Sequence, residues 1–593
     1  MHPSSTQRLA AAAAAVLLAT AIAPGAALAQ TAAGRSVRAP VKPAFPALRL
    51  EEKSNGEQAV ARLGAHLPAV AAHYGKSASE FSRQLRTDRS AWVDKSGRLV
   101  FIEQGLTSSG SDLAVSNVIY PPEQTFVLHS RPGSKRKIYL DFNGHTTTGS
   151  AWNTSYARDP IVSPAFDLDG VPGTFNTNEL ALIQNVWRRV AEDYAPFDVD
   201  VTTEQPSVDQ MTRVSSTDDT YGARALITKN FTVGSNKGNC NCGGFAYVGV
   251  FDHTVETYKT AFIFQDMLGN SEKNIAEAVS HEVGHNLGLS HDGTATLGYY
   301  SGHGSGATGW APIMGVGYSK ELVQFSKGEY TGANNKEDDF LVMQSNGVLF
   351  AADDFGNTMG TARALSPTDL NGMSSYTING VVETPLDTDV FSLRAAAGTV
   401  TINATPFQRS PNLDILITLR DAAGAVLAQA NPAALLSSAI SIAVPAGQYY
   451  LSIQGAANGN PQGTGYSSYG SIGRYTMTVS APTASTPLLA MHVETITMAL
   501  GTGSRAGESY AQAGVAVKDS NGRVIAGATV SGNWSGIVAG AAVATTNAAG
   551  VAFASSPLVK SGGTFTYTVT GISAPGYAYE PVYNRLGSNA ITR

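Results

Sequence analysis

Residues 281–292 read HEVGHNLGLSHD, and this string constrains the chain more than any other. His281 and His285 are four apart, which on a helix puts both imidazoles on one face. Gly288 stands where that helix has to stop, because glycine accepts the left-handed conformation that a sharp exit requires. The turn then predicts that His291 returns to the same point. Three imidazoles suit Zn²⁺ in its catalytic form, with the fourth position left to solvent. Glu282, between the two helical histidines, is the candidate general base and later acid.

The string resembles the signature of the metzincin zinc peptidases. Asp292 after the third histidine is similar to the reprolysin and snapalysin branches, whereas serralysins usually carry proline there. The resemblance implies a Met-turn under the metal, and Ala311-Pro312-Ile313-Met314-Gly315 fits that place with Met314. It also implies a five-stranded mixed sheet with an active-site helix, and a peptide substrate laid along an edge strand, Phe245 to Phe251. Five apolar runs and two helical ones upstream agree with this order: strands from Lys137, Phe197, Arg224, Phe245 and Thr260, a helix over Glu179 to Tyr194 with Leu180, Ile183, Trp187 and Val190 on one face, and a second from about Ser271 to Leu287. The likeness has departures. Val316 stands where astacins and serralysins have a tyrosine, and Tyr318 comes two residues later, so Tyr318 is not expected to be a ligand. Asp292 is expected to brace the turn after His291.

Ahead of this domain, residues 1–29 have one formal charge, Arg8, an apolar stretch and Ala27-Leu28-Ala29, the pattern of a cleaved secretory signal. The mature chain is therefore expected to be secreted outside the cell, with no membrane span. Residues 30–136 read as a pro-segment. They include a capping box at Ser77–Glu80 and a hairpin from Trp92 to Ile102. Residues 30–137 carry 16 basic and 9 acidic side chains, on a chain whose net charge is −6. A basic front on an acidic body suggests a segment docked on its own catalytic domain as its inhibitor. It contains no cysteine, which excludes the thiolate latch of matrixins and leaves a carboxylate or a steric block. Lys135-Arg136-Lys137 reads either as a processing site or as a solvated strand start.

Residues 137–350 are thus expected to be the zinc peptidase domain. Residues 353–480 are an all-β sandwich that resembles the bacterial pre-peptidase C-terminal domain, in DDFGNT, DTDVF at 387–391, PNLDI at 411–415, AGQYYLSI at 446–453 and GYSSYGSIGRYTM at 465–477. After the linker 481–487, residues 488–593 form a second sandwich similar to bacterial Ig-like domains. Asp387 and Asp389 look like Ca²⁺ ligands, although aspartates in β-turns are usually solvated. Cys240 and Cys242 can pair with each other, pair between chains or stay free. His145, His253 and His303 read as exposed loop residues. The acidic balance gives no support to nucleic-acid binding. The fold class is multidomain, an α/β metzincin-like domain followed by two β-sandwiches. The expected function is a monomeric secreted zinc endopeptidase acting on proteins or peptides. The alternatives are an adhesin or matrix-binding protein with a vestigial zinc site, and another zinc hydrolase such as an amidase.

Overall fold

The computed structural model describes residues 42–106, 118–230, 241–370, 372–484 and 489–593. The expected leader, the Ser/Gly stretch from Thr107 to Ser111, Cys240 and residues 485–487 of the linker lie outside them.

The N-terminal segment is a small helical unit with strands at both ends. Strand β1 (Ser54–Asn55) leads into α1 (Gly56–Leu63), α2 (Leu67–His73) and α3 (Ala78–Thr87), and then into β2 (Ala91–Val93) and β3 (Leu99–Gln104). Ser77 and Glu80 form the expected capping box on α3, with Ser77 N donating to Glu80 Oε2 at 2.8 Å. Asp94 shapes the β2–β3 turn by accepting from the amides of Ser96 and Arg98 at 2.8 and 2.9 Å. Leu63, Phe81, Leu85, Leu99 and Phe101 are buried in one cluster that holds this unit together.

The five expected strands follow as β4 (Arg136–Asp141), β5 (Asp200–Thr202), β6 (Tyr221–Thr228), β7 (Cys242–Tyr247) and β8 (Thr260–Phe264). They lie in the order β7-β8-β6-β4-β5, parallel except for β7. Helix α4 (Thr177–Asp193) buries Ile183, Trp187 and Val190, with Leu180 half-buried. It packs against α5 (Glu272–Asn286), which lies across β6, β7 and β8.

Two expectations need correction. Strand β7 is not a free edge. Strand β3 pairs with it antiparallel, so the sheet continues through β3, β2 and β1 to eight strands. Nor does the globule begin at residue 137. Gln184 on α4 takes the amides of Ile119 and Tyr120 at 2.8 and 3.0 Å, and His129 Nδ1 lies 2.7 Å from Asp200. Lys135-Arg136-Lys137 runs into β4, which lies between β5 and β6, and Lys137 is buried with its Nζ 2.9 Å from Asp200 Oδ2. The run is a strand start, and its lysine is ion-paired inside the sheet instead of solvated.

Helix α6 (Asp339–Ser345), N-capped by Asp338, closes this part of the chain. Residues 363–482 form two five-stranded sheets, and residues 489–592 form two four-stranded ones. Met373–Val382 alternates exposed and buried along its length, as a strand with one face in a core must. The first pair of sheets shares one continuous core with the α/β part. Phe340 stacks on Tyr469 at 4.3 Å, Gln324 Nε2 donates to Asn412 O at 2.5 Å, and Arg409 pairs with Glu272. The last two sheets enclose a core of their own, with Val515, Val517, Phe565 and Tyr567 buried as their alternation implies. Among the described residues no helix is long and apolar enough to cross a membrane.

Candidate metal centre

Helix α5 is capped by Ser271 and anchored to the sheet through Ile275, Val279 and Val283, all fully buried. That anchoring aims His281 and His285 into the interior, with ring centroids 4.7 Å apart. Gly288 has φ +98, and a Cβ there would strike the side chain of Asn346, so both the turn and the packing demand glycine. The chain reverses through it and returns His291, whose Nε2 lies 3.1 Å from Nε2 of His285.

The outer nitrogen of each ring is engaged. His281 Nδ1 donates to Ile313 O at 2.9 Å, His285 Nδ1 to Leu289 O at 2.8 Å, and His291 Nδ1 to Asp88 Oδ2 at 2.6 Å. These bonds fix the orientation of the rings and turn the three Nε2 atoms inward. Burial and the neighbouring His285 push His281 down to about 3, which keeps it neutral. His281 Nε2 is buried and has no hydrogen-bond partner. Burial opposes the imidazolium of His291, but the Glu103 and Asp88 carboxylates outweigh it and raise this group to about 10. This corner of the site attracts positive charge.

The fourth group comes from the N-terminal segment. Glu103 Oε1, on β3, lies 2.9, 3.5 and 3.9 Å from Nε2 of His291, His285 and His281. All four ligand atoms fall within 4.8 Å of one another. A tetrahedral zinc with bonds of about 2.1 Å separates its ligand atoms by about 3.4 Å. The donor set, the spacing and the orphaned lone pair on His281 therefore fit zinc.

Glu282 is buried beside the cluster with Oε2 unpartnered. Its carboxyl is held well above the usual range by burial and then by the Glu103 charge. Its other oxygen lies over Gly244 of β7, where any Cβ would collide with it. Met314 is fully buried with its sulfur against Gly284 of α5, and its carbonyl accepts from Asp292 N at 2.8 Å. Asp292 thus ties the exit of the turn to the Met314 loop through its backbone. Its buried carboxyl is raised to about 8 by burial and by Glu337, and its Oδ2 has no hydrogen-bond partner.

Sequence reasoning missed Glu103, Asp88 and Tyr299. Tyr299 donates its hydroxyl to Glu103 Oε2, and its ring lies 4.5 Å from that of His291. The absence of cysteine from the segment left a carboxylate or a steric block open, and only the pairing of β3 with β7 brings one particular carboxylate to the histidines. Tyr318 packs against the core and is not among the clustered ligand atoms. Cys242 is disulfide-bonded, and Cys240, the other cysteine of the chain, lies outside the described residues. His145, His253 and His303, expected to be exposed, are half-buried. His303 bonds the Tyr300 hydroxyl at 2.8 Å and Gly465 O at 2.7 Å.

A second cluster lies where the first β-sheet pair begins. Asp353 groups with Glu383 and Asp387 on one side and with Asp354 and Asp389 on the other. The expectation that Asp387 and Asp389 are solvated fails, since both are buried. Glu383 Oε2, Asp387 Oδ1 and Asp389 Oδ1 have no hydrogen-bond partner. Burial, reinforced by the neighbouring carboxylates, raises Glu383 to about 10 and Asp389 to about 9.

Residues 184–292 match the family model described as Metallo-peptidase family M12B Reprolysin-like. This reprolysin-like span contains the three histidines and Glu282, and supports a metallopeptidase. No curated protein matches the chain. Among solved structures, the pre-peptidase C-terminal domain of collagenase from Bacillus anthracis is 19% identical, with 20% of this chain and 93% of that one covered and a TM-score of 0.14. PliG, a periplasmic inhibitor of g-type lysozyme from Aeromonas hydrophila, is 14% identical, with 20% and 96% covered and a TM-score of 0.15.

Proposed function

We propose that the chain is a secreted bacterial zinc endopeptidase, made with a leader over 1–29 and an N-terminal latency segment, and acting as a monomer. The observation that carries this reading is the convergence of three buried Nε2 atoms, on rings oriented through their Nδ1 bonds, beside an unpartnered buried carboxylate. A zinc ion held by His281, His285 and His291 supplies Lewis acidity and brings the pKa of water toward neutrality. The chain's own residues do the rest. Glu282 takes the proton of the attacking water and passes it to the departing amine, so one water is consumed and a carboxylate and an amine leave. Met314 and Asp292 hold the turn that sets His291. Once β3 is displaced, the side of β7 that it pairs with offers backbone groups to an extended peptide as an added strand. The adhesin reading gains nothing from the site, because a vestigial centre has no need to keep Glu282 aligned over Gly244.

The cluster of Asp353, Glu383, Asp387 and Asp389 reads as a structural Ca²⁺ site, since hard oxygen ligands that are buried and unpartnered suit that ion. The test of the catalytic reading is casein hydrolysis by the matured secreted protein. A chelator and, separately, Glu282→Gln should each abolish it, and hydrolysis that survives both treatments overturns the reading.

A further inference from the structure

The N-terminal segment contacts the peptidase part at the two places a substrate and its attacking water would need. Strand β3 pairs antiparallel along β7, with Val100 opposite Tyr247, Ile102 opposite Phe245 and Glu103 opposite Gly244. A strand laid there satisfies the backbone groups that a peptide would otherwise use. On the same face of β3, Phe101 and Glu103 turn inward. The ring of Phe101 stacks on His285 at 4.3 Å, and the carboxylate of Glu103 enters the histidine cluster. Both carboxylate oxygens are engaged, Oε1 with the imidazoles and Oε2 with the Tyr299 hydroxyl, so the group is held in one orientation. Asp88 grips His291 from behind, and Lys76 pairs with Glu337 at 3.2 Å across the same junction.

Given the zinc peptidase reading above, we propose that Glu103 is an intramolecular latch: its carboxylate takes the fourth corner of the metal site while β3 takes the pairing side of β7, so the full-length chain is latent. Carboxylate oxygen is a regular zinc ligand, and tethering gives it an effective concentration that free water-borne ligands do not match. A latch engaged about 100 to 1 lowers the apparent affinity of any competing ligand about 100-fold.

The test uses the full-length chain carrying Glu282→Gln, which prevents self-cleavage, loaded with Co²⁺ as a visible probe of ligation. Azide is titrated while the cobalt absorption bands are followed. The latched chain should show little change, and Glu103→Ala should bind azide about 100-fold more tightly. Glu103→Gln, of nearly the same shape, repeats the measurement should the alanine variant fold poorly. In the Glu282 background, full-length Glu103→Ala should hydrolyse casein where the parent does not. Equal azide affinity in the parent and the glutamine variant overturns the latch while leaving the zinc peptidase reading intact. Failure of cobalt to bind through the histidines, shown by an unchanged spectrum in His285→Ala, overturns both.

Discussion

The carboxylate of Asp88 accepts the Nδ1 proton of His291 at 2.6 Å, across a sequence separation of 203 residues. Asp88 belongs to the N-terminal segment and His291 to the turn after α5, so the folded chain orients one candidate metal ligand with a residue from another part of itself. Of the three histidines, only His291 takes its orienting acceptor from a side chain; the other two use backbone carbonyls.

Removing that acceptor should loosen the site. In the full-length chain, Asp88→Ala should weaken zinc binding about 10- to 100-fold, the usual effect of losing a ligand's outer partner. Competition against a chromophoric chelator measures it, and an unchanged affinity would show that the Asp88 bond does not hold the ring.

Gly244 should be as sensitive as the residues that do the chemistry. A Cβ at this position meets the carboxylate of Glu282 on one side and, at 2.8 Å, the Phe262 carbonyl of β8 on the other. The strand cannot give way, so Glu282 has to. Gly244→Ala should lower kcat of the matured enzyme about 100-fold, within the range for a displaced general base, with zinc content unchanged. Steady-state kinetics alongside metal analysis separates this from loss of the ion.

Stability should fall as pH rises. Glu192 is fully buried where α4 meets the first β-sheet pair, accepts from Arg474 N at 2.9 Å, and has its carboxyl raised from 4.5 to about 8, chiefly by burial. A carboxyl whose folded pKa lies above its unfolded value binds more protons in the folded state. Its contribution is fully present below about pH 4.5 and is lost as pH climbs toward 8. Thermal unfolding between pH 5 and 8 should show a falling Tm, and Glu192→Gln should flatten that slope.

Calcium should stabilise the first β-sheet pair. Three buried oxygens without partners, on Glu383, Asp387 and Asp389, should gain ligation from the ion. At a concentration about 100 times Kd, stability should rise by about 2.7 kcal/mol. Calorimetry with and without Ca²⁺ reads the shift, and Asp389→Asn should abolish it. A Tm indifferent to Ca²⁺ in the parent chain removes the assignment.

Much of the fold was legible because its signals are local. The capping box at Ser77–Glu80, the hairpin turn at Asp94 and the alternation of Phe565, Tyr567 and Val569 each depend on neighbours a few residues away. The apolar run from Phe245 to Phe251 predicts a strand that starts three residues later than β7 does. Its last residues are buried against α5 and its exit turn, with the amides of Val250 and Phe251 donating to Asn286 O, rather than in the ladder. Lys137 shows the opposite error. A basic run reads as solvated, yet an ion pair with Asp200 permits its burial in the middle of a sheet.

The spacing of His281, His285, Gly288 and His291 was sufficient by itself to specify three converging imidazoles, because helix pitch and a glycine turn are short-range geometry. What completes the cluster could not be read that way. Glu103 is one of many acids in the chain, and nothing beside it in sequence marks it. It enters the centre only because antiparallel pairing sets it opposite Gly244, and strand register is fixed by contacts between segments more than a hundred residues apart.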